Sequence, residues 1–177
     1  MKKTALKIED AYFFDRIKPE DRRGYFTTIY QSDWHNLGPE VQFNVSHSKK
    51  GVFRGLHYSQ GEQPEGKFVT VLKGEIVDFI FDVRMESRTY GMAQAVKLSG
   101  YTARTLYVPP GCAHGFVTLE DSLVAYAATK LWNPEDERGY NWKSDAVNFF
   151  IRTNMEHEFI NPETIIISDR DSQLPYF

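Results

Sequence analysis

Apolar and polar side chains alternate along the middle of the chain, and this alternation predicts β-strands. In the clearest segment, Ile and Asp residues at the even positions from 76 to 82 alternate with Val and Phe residues at the odd positions. A period of two residues is typical of a strand whose two faces meet different surroundings. The preceding segment, Phe68–Leu72, is also rich in β-formers. Because Lys73-Gly74 separates the two segments, we predict a hairpin here.

Further segments continue this pattern, each bounded by turn residues: Ala95–Leu98, Ala103–Val108, His114–Leu119 and Leu123–Thr129. Glycines and the Pro109-Pro110-Gly111 turn separate them at the short spacing that is typical of an antiparallel sandwich or barrel. We therefore predict a mostly β architecture, a small closed sandwich or barrel.

Signals outside these strands are weaker. Ser32–Gly38 predicts one short helix, with a Ser or Asp cap and a Gly stop. Thr164–Ile167 is a further extended candidate. The following Ser168–Asp171 is too polar for a place in the core. No repeat, low-complexity tract or Ser/Gly-rich linker interrupts the chain, which predicts one domain over residues 1–177.

The composition fits a folded domain. A chain of 177 residues buries roughly 70% of its unfolded surface, enough for a core without covalent staples. Hydrophobic residues make up 41% and charged residues 25%, a mixture that excludes a disordered tail. Aromatic residues are frequent at 15%, which favours strands or a pocket with flat walls.

Charge and cysteine content exclude several classes of function. The formal charge of −3 gives little electrostatic support for binding nucleic acid. A single cysteine, Cys112, excludes an intrachain disulfide and any multi-cysteine metal site. No apolar run approaches the roughly 18 residues of a membrane span, and the first ten residues lack the apolar core of a signal peptide. We expect a soluble, cytoplasmic protein that binds neither nucleic acid nor membrane.

Two segments carry candidate polar chemistry in the predicted barrel. In Arg54-Gly55-Leu56-His57-Tyr58, a regular strand would place Gly55 and His57 on one face and the other three residues on the opposite face. His57 is either a functional imidazole or a sheet histidine held by a hydrogen bond, and both interpretations stay open. Lys67 opens the next strand after a Gly/Pro/Glu-rich turn, where a lysine is ordinarily solvated.

The segment from Val108 to Phe116 is more informative. Its prolines and glycine fix a tight turn that presents His114 at the start of the next strand. The same segment reads P-x-G-x-x-H, half of the pattern of metal-binding cupins. The other half needs H-x-H, and His57-Tyr58-Ser59 supplies one imidazole only. Because a metal normally needs three or four ligands, we predict no metal site here.

Without a metal, these residue types suit proton transfer. Histidine has the side-chain pKa nearest neutrality, and an adjacent carboxylate can orient the ring. Tyr126 lies centrally in a predicted strand, where a phenol could donate a proton from the opposite wall. A lysine or arginine could hold the negative oxygen of an enolate. Asp78 is a further candidate for the pocket or a satisfied sheet carboxylate.

Several motifs, taken together and in order, carry a family resemblance. They are Asp21-Arg22-Arg23-Gly24-Tyr25-Phe26, Gly51-Val52-Phe53-Arg54-Gly55-Leu56-His57-Tyr58, Gly66-Lys67, Pro110-Gly111-Cys112-Ala113-His114-Gly115-Phe116, Asn133-Pro134 with Glu137-Arg138-Gly139, and Ser168-Asp169-Arg170-Asp171. With them the chain resembles the dTDP-4-dehydrorhamnose 3,5-epimerases of nucleotide-sugar metabolism over nearly its whole length. The resemblance implies a cupin-like jelly-roll barrel with short peripheral helices that works as a homodimer without a cofactor.

The resemblance also assigns roles. His57 resembles the family's general base, Asp171 its orienting carboxylate, and Tyr126 the catalytic acid. Lys67 resembles the lysine that contacts the sugar 4-oxygen and stabilises the enolate. The substrate class is a nucleoside-diphosphate 4-keto-6-deoxyhexose, most simply dTDP-4-dehydro-6-deoxy-D-glucose on the route to dTDP-L-rhamnose.

Further positions match residues that line the family's substrate site. They are Arg23, Thr28, Asn44, Val45, Ser46, Arg54, His114, Trp132, Glu137 and Arg170, together with Lys67. Some of them depart from the usual pattern: Thr28 replaces a glutamate, Trp132 a tyrosine, and Asn44-Val45-Ser46 the usual Gln-Asp-Asn. Ala127 replaces the lysine that commonly follows the catalytic tyrosine, and Phe149–Glu163 is longer than usual.

Other functions remain open at this point. A relative could invert only C3 or only C5, or act on a GDP- or CDP-linked 4-keto sugar. A non-catalytic sugar-binding cupin is a different class, although His57 and Tyr126 are both present. A metal-dependent cupin oxygenase or isomerase is a third class, which a stoichiometric tightly bound metal would indicate.

Overall fold

The protein folds as two packed antiparallel sheets. A computed structural model describes residues 2–34, 41–145 and 164–177. Its strands are β1 (Lys2–Ala5), β2 (Tyr12–Asp15), β3 (Glu20–Asp21), β4 (Gly24–Tyr25), β5 (Gln42–Ser48), β6 (Phe53–Ser59), β7 (Lys67–Lys73), β8 (Glu75–Asp82), β9 (Ala93–Ser99), β10 (Arg104–Val108), β11 (Cys112–Thr118), β12 (Ser122–Ala128) and β13 (Glu137–Gly139). A short helix, α1 (Asp169–Ser172), lies near the end of the sequence.

The predicted mostly β fold is confirmed. The six-stranded sheet has the order β1-β2-β10-β7-β12-β5, and the five-stranded sheet has the order β13-β6-β11-β8-β9. Strands β3 and β4 form a small separate hairpin. The segments predicted from alternation, from 68 to 129, all lie in strands, with ends that differ by one or two residues.

Alternation divides the side chains between an inner core and two outer layers. Between the sheets, apolar residues such as Val69, Ile80 and Leu106 pack together. Phe79, Phe81 and their neighbours cover the outer face of the five-stranded sheet. An aromatic cluster covers part of the outer face of the six-stranded sheet. The central strands are therefore apolar on both faces, and the polar residues that still point inward stand out as candidates for a site.

The predicted hairpin at Lys73-Gly74 is wrong. Strand β7 belongs to the six-stranded sheet and β8 to the five-stranded sheet, so the two strands do not pair. Only Gly74, with φ +84°, lies between the last residue of β7 and the first residue of β8. Because a hairpin connection commonly needs about two residues, this one-residue bend instead carries the chain from one sheet to the other.

Strand β6 is irregular at Gly55, and this changes which side chains point inward. His57 pairs with His114, and Arg54 pairs with Phe116, so β6 has one residue more than β11 between these two pairs. An extra residue in one strand is a β-bulge, which shifts the alternation by one position. Arg54 and His57 consequently face the same side, contrary to the expectation for a regular strand.

The bulge depends on a close approach of two glycines. Gly55 has φ +111°, and a Cβ at this position would lie 2.7 Å from both the Gly115 Cα atom and the His114 carbonyl oxygen. Both obstacles belong to the backbone of the neighbouring strand β11, which cannot rotate away as a side chain would. Glycine is therefore required at position 55 both by the backbone conformation and by space.

We expect Gly55→Ala to destabilise the protein more than Gly24→Ala. Gly24 has a similar φ of +109°, but no atom lies within 4 Å of the place that an alanine methyl group would take, so it is a matched control. The backbone conformation alone costs about 1–3 kcal/mol for a non-glycine residue, and only Gly55→Ala adds the collision. Thermal unfolding of both variants measures the difference. Equal midpoints would contradict the steric role of Gly55.

The segment after residue 164 partly confirms and partly corrects the sequence analysis. Ile166 forms a parallel bridge with Val52, in agreement with the extended structure predicted for Thr164–Ile167. The expectation that Ser168–Asp171 is too polar for the interior is wrong for Asp171, which is only 5% exposed. Its burial is tolerated because its carboxylate is hydrogen-bonded.

Two other predictions fall partly or wholly outside the described residues. Of the helix predicted at Ser32–Gly38, Ser32–Trp34 lie in a turn, and the remaining positions are outside the described part. The long segment Phe149–Glu163 also lies outside it. Within the ranges that the structure describes, no helix has the length and apolar character of a membrane span.

Candidate active site

A polar cavity of about 430 Å³ opens between the two sheets. Most of the site residues predicted from the sequence line it: Asn44, Ser46, Arg54, His57, Lys67, His114, Tyr126, Trp132, Glu137, Arg170 and Asp171. They come from both sheets and from α1, except Trp132, which lies between β12 and β13. An adjoining cavity of about 390 Å³ shares five of its lining residues with the first, among them His57 and Lys67.

His57 is held by a buried carboxylate. Its Nε2 atom lies 2.8 Å from Oδ1 of Asp171, and Oδ2 of Asp171 accepts a hydrogen bond from the Gly55 N–H at 3.1 Å. The bulge at Gly55 therefore supports the same carboxylate that orients the imidazole. With the Nε2 proton directed to Asp171, Nδ1 is the nitrogen that can accept a proton. This atom lies 3.8 Å from Oε1 of Glu137.

The environment of Asp171 keeps its carboxylate ionised. Burial opposes ionisation, but hydrogen bonds from His57 and from the Gly55 N–H outweigh it and hold the pKa of Asp171 below its usual value. Ser168 caps α1 by accepting a hydrogen bond from the Asp171 N–H at 3.1 Å, which fixes the start of the helix. The carboxylate is thus positioned by its own backbone as well as by its partners.

A second histidine on the same sheet is paired in the same way. Nε2 of His114 lies 2.8 Å from Oδ2 of Asp78, whose side chain is completely buried. Burial raises the pKa of Asp78, although His114 and Lys67 oppose the rise. Asp78 does not line the cavity itself but lies behind His114 and fixes the orientation of that ring. The satisfied sheet carboxylate that the sequence left open is therefore confirmed only in part: Oδ2 is paired with His114, whereas the buried Oδ1 has no hydrogen-bond partner among the described residues.

Tyr126 faces the cavity from the opposite sheet. It lies in β12 of the six-stranded sheet, whereas His57 lies in β6 of the five-stranded sheet. Burial, followed by the negative charges of Glu65 and Glu137, raises the pKa of Tyr126, and Arg54 opposes this rise. The phenol is therefore protonated at neutral pH, as a proton donor must be.

Lys67 extends from the same sheet as Tyr126. Tyr126 pairs with Val69, and Lys67 lies two residues before Val69 at the start of β7. Lys67 therefore lies on the same face of the sheet as Tyr126. The side chain of Lys67 is only 17% exposed, and its Nζ atom lies 3.0 Å from Oε1 of Glu65. The solvated lysine that is ordinary at such a position is thus replaced by a largely buried, paired one.

The rim of the cavity joins an aromatic ring to charged groups. The indole N–H of Trp132 donates to Oε2 of Glu137 at 3.1 Å, and Arg170 forms an ion pair with the same oxygen. Burial opposes ionisation of Glu137, but the hydrogen bonds from Arg170 and Trp132 hold its pKa below the usual value. Arg54 adds a second guanidinium, whose Nε donates to Ser48 at 2.9 Å.

Three predicted site residues do not line the cavity. Val45 lies in β5, where Asn44 and Ser46 point inward and Val45 points outward with 63% exposure, because side chains alternate along a strand. Arg23 is exposed and paired with Asp21 in the β3-β4 hairpin, and Thr28 is exposed in the following segment. In a single chain, therefore, Arg23, Thr28 and Val45 do not line the cavity of that same chain.

The sequence analysis missed Ser168 and two further polar residues that line the cavity, Gln42 and Glu65. The side-chain amide of Gln42 donates to Oδ1 of Asn44 at 2.9 Å and accepts from the backbone N–H of Trp132 at 3.0 Å, so it connects strand β5 to the rim. Glu65 pairs with Lys67. Both lie two positions before a predicted site residue, and the period of a strand could have identified them.

The arrangement combines an oriented imidazole, a protonated phenol on the opposite wall and an ammonium beside it. Two proton-transfer groups on opposite faces of a ligand, with a cation for a developing oxyanion, suit inversion at a carbon next to a carbonyl group. Among residues 2–34, 41–145 and 164–177, no three or more His, Cys, Asp or Glu side chains group together as metal ligands would.

Comparison with known proteins extends the picture to the whole chain. A family model described as dTDP-4-dehydrorhamnose 3,5-epimerase matches residues 5–177. The chain is 39% identical over 163 residues to the dTDP-4-dehydrorhamnose 3,5-epimerase of Methanothermobacter thermautotrophicus, covering 88% of this chain and 84% of that protein. The enzyme of the same name from Salmonella typhimurium is 40% identical over 133 residues, which cover 72% of this chain and 73% of that protein.

Solved structures agree with this. The dTDP-4-dehydrorhamnose 3,5-epimerase of Elizabethkingia anophelis superposes with a TM-score of 0.86 at 31% identity, covering 100% of this chain and 96% of that chain. The dTDP-6-deoxy-D-glucose-3,5-epimerase of Legionella pneumophila, solved in complex with dTDP-4-keto-L-rhamnose, gives a TM-score of 0.86 at 30% identity and covers 99% of this chain and 92% of that chain.

Proposed function

The chain belongs to the dTDP-4-dehydrorhamnose 3,5-epimerase family, and from this we propose that it inverts C3 and C5 of dTDP-4-dehydro-6-deoxy-D-glucose. Its two-sheet sandwich is the cupin-like jelly roll of that family. The observation that carries the proposal is the placement of His57 and Tyr126 on facing sheets of one cavity, with Lys67 beside the tyrosine.

The first half of the reaction needs a base and an electrophile. The 4-ketone acidifies the hydrogens on its two neighbouring carbons, so that His57 Nδ1 can remove one of them as a proton. The electron pair of the broken C–H bond then forms the enolate, whose negative oxygen the Lys67 ammonium stabilises. A preorganised donor of this kind is worth on the order of 2.7–4 kcal/mol.

The second half needs an acid on the other face. Tyr126 returns a proton to the same carbon from the opposite side, the enolate collapses to the ketone, and the configuration is inverted. Asp171 stabilises the imidazolium that His57 becomes, because its pKa is held low and its carboxylate stays ionised. The same groups serve C3 and C5 in turn, since both carbons flank the one ketone.

Substrate binding follows from the charges at the rim. Arg54 and Arg170 are guanidinium groups that suit the oxygens of a diphosphate. Trp132 offers an aromatic face, Asn44, Ser46 and His114 offer polar groups inside the cavity, and the Glu137 carboxylate lies against Trp132 and Arg170. The deoxythymidine nucleotide is the one named for the relatives, and the Legionella pneumophila structure holds a dTDP-linked sugar.

The direct test is proton NMR of dTDP-4-dehydro-6-deoxy-D-glucose incubated with the protein in D₂O. Loss of both the C3 and C5 proton signals, with a downstream reductase trapping dTDP-L-rhamnose, is the expected result. Loss of only one of the two signals would show a mono-epimerase. The replacement of the usual tyrosine by Trp132 would then be the first difference to test. Absence of exchange with the dTDP, GDP and CDP sugars alike would contradict the proposed activity and favour a non-catalytic sugar-binding protein.

We also propose that the protein works as a cytoplasmic homodimer. Large apolar side chains are exposed away from the cavity, among them Phe26 at 74%, and Phe43 and Val45 at 63% on the outward face of the edge strand β5. Apolar patches of this kind are typical of protein interfaces. A dimer would also let one chain bring Arg23 and Thr28 towards the cavity of the other.

Light scattering during gel filtration tests the assembly. We expect the mass of a dimer for the unaltered protein and a monomer after Phe43 and Val45 are both changed to serine. A monomeric unaltered protein would overturn this part of the proposal without affecting the proposed reaction.

A further inference from the structure

Glu65 is placed to act on Lys67. The two residues are separated by Gly66 alone, and side chains two positions apart in extended chain lie on the same face. Both line the cavity, and Oε1 of Glu65 lies 3.0 Å from Nζ of Lys67. Their side chains are only 13% and 17% exposed, so water screens this ion pair less than it screens pairs on the surface.

The turn that carries Glu65 is fixed against the neighbouring strands. The Gly66 N–H donates to the Thr129 hydroxyl at 2.8 Å, and the Thr129 N–H donates back to the Gly66 carbonyl at 3.0 Å. The Gly66 backbone also lies against Tyr107, where an added Cβ would be 3.1 Å from the phenolic oxygen. Because the backbone between Glu65 and Lys67 is held from two sides, the carboxylate has a defined place beside the ammonium.

We propose that Glu65 is a positioning residue for the reaction: its carboxylate fixes the Lys67 ammonium at the cavity wall, where the ketone oxygen of the substrate meets it. This inference rests on the proposed epimerase function. A lysine side chain is long and has considerable rotamer freedom, which a single fixed partner removes before the substrate binds. An ammonium has three N–H donors, so the ion pair with Glu65 leaves donors for the enolate oxygen.

The charge of Glu65 acts on a second group of the site. Its negative charge contributes to the raised pKa of Tyr126, after burial and together with Glu137. Arg54 opposes this effect. The other charged or titratable groups that line the same cavity are His57, Lys67, His114, Arg170 and Asp171. Loss of the Glu65 charge should therefore lower the pKa of Tyr126, a result that a purely structural residue would not produce.

Two substitutions separate the contact with Lys67 from the charge. Glu65→Ala removes both, and we expect kcat to fall about 10- to 100-fold with KM little changed, since a misplacement of roughly 1 Å can cost ~100-fold. Glu65→Gln keeps an acceptor oxygen for Lys67, so its kcat should fall less. Both variants lose the charge, and in both the basic limb of the kcat–pH profile should move to lower pH.

The control is Glu86→Gln, which removes an exposed carboxylate that lines neither cavity and should leave kcat and the pH profile unchanged. Thermal unfolding of each variant shows whether it is folded. Unchanged kcat in folded Glu65→Ala, or a basic limb that stays in place in both Glu65 variants, would overturn the proposal.

A double-mutant cycle tests whether Glu65 acts through Lys67. In a Lys67→Ala background, Glu65→Ala should cause little further loss of C3 and C5 hydrogen exchange, because there is no ammonium left to position. Losses that multiply would show that Glu65 acts independently and would overturn the proposal. The unaltered protein separates the proposed function from the positioning role of Glu65. If it exchanges neither the C3 nor the C5 proton, the proposed function is wrong. If it exchanges both and the Glu65 variants have the same kcat, only the positioning role is wrong.

Discussion

Replacing His57 with alanine is expected to abolish hydrogen exchange at both C3 and C5 of the substrate. The imidazole lines the cavity, the buried Asp171 carboxylate orients it through Nε2, and its Nδ1 atom stays available as a proton acceptor. A positioned base contributes about 10²–10⁴-fold, and without it neither carbon loses its hydrogen. Exchange in D₂O followed by NMR measures both positions in one experiment.

His47→Ala is the control for this prediction. His47 lies in β5 on the outward, exposed face that also carries Phe43 and Val45, and it does not line the cavity. Gel filtration of His47→Ala checks that the assembly is unchanged. His114 is paired with Asp78 in the same way, but its side chain is only 10% exposed against 22% for His57, so we do not expect it to replace His57 as the base. Near-normal exchange in His57→Ala, at either carbon, would show that another group is the base.

Replacing Tyr126 with phenylalanine is expected to separate exchange from inversion. The base can still remove a hydrogen, exchange it with solvent and return deuterium to the same face of the carbon. Inversion needs a proton from the opposite face, and phenylalanine has none to give. We expect some loss of the proton signals but little epimerised product, with turnover lowered by about 10²–10⁴-fold.

The measurement compares deuterium incorporation with the amount of inverted sugar in the same reaction. Tyr101→Phe is a suitable control, since Tyr101 is 77% exposed. The shape of the ring is kept in both variants, so a loss of inversion in Tyr126→Phe alone reports the phenolic proton. Equal rates of exchange and inversion in that variant would show that a different acid, or water, delivers the proton.

The alternation of apolar and polar residues predicted the strands, but it did not predict which strands pair with each other. Alternation identified β7 to β12, because each side of those strands meets a different environment. It could not tell that β7 and β8 belong to different sheets, since a turn with one glycine looks in sequence much like a hairpin turn. Which strands pair is decided by contacts between distant residues, and a single sequence does not show them.

For the candidate site, the sequence predicted most of the residues but not the direction of every side chain. The order of the motifs identified His57, Tyr126, Lys67 and Asp171 as candidates, and all four line one cavity in the structure. Their catalytic roles remain proposals. The side on which Arg54 points was wrong, because the bulge at Gly55 arises from a tertiary contact with Gly115. Val45 was placed by motif position without regard to alternation, which directs it outward.

The separation of His57 and Asp171 along the chain links catalysis to the completeness of folding. They lie 114 residues apart, in different elements, and hydrogen-bond only when α1 has docked on the five-stranded sheet. Contacts of such high sequence separation form late and slowly, after much of the chain entropy has been lost. Recovery of catalysed exchange at C3 and C5 of the substrate during refolding would therefore report the final assembly of the domain. The return of the β-sheet circular dichroism signal would report only the earlier formation of the sheets.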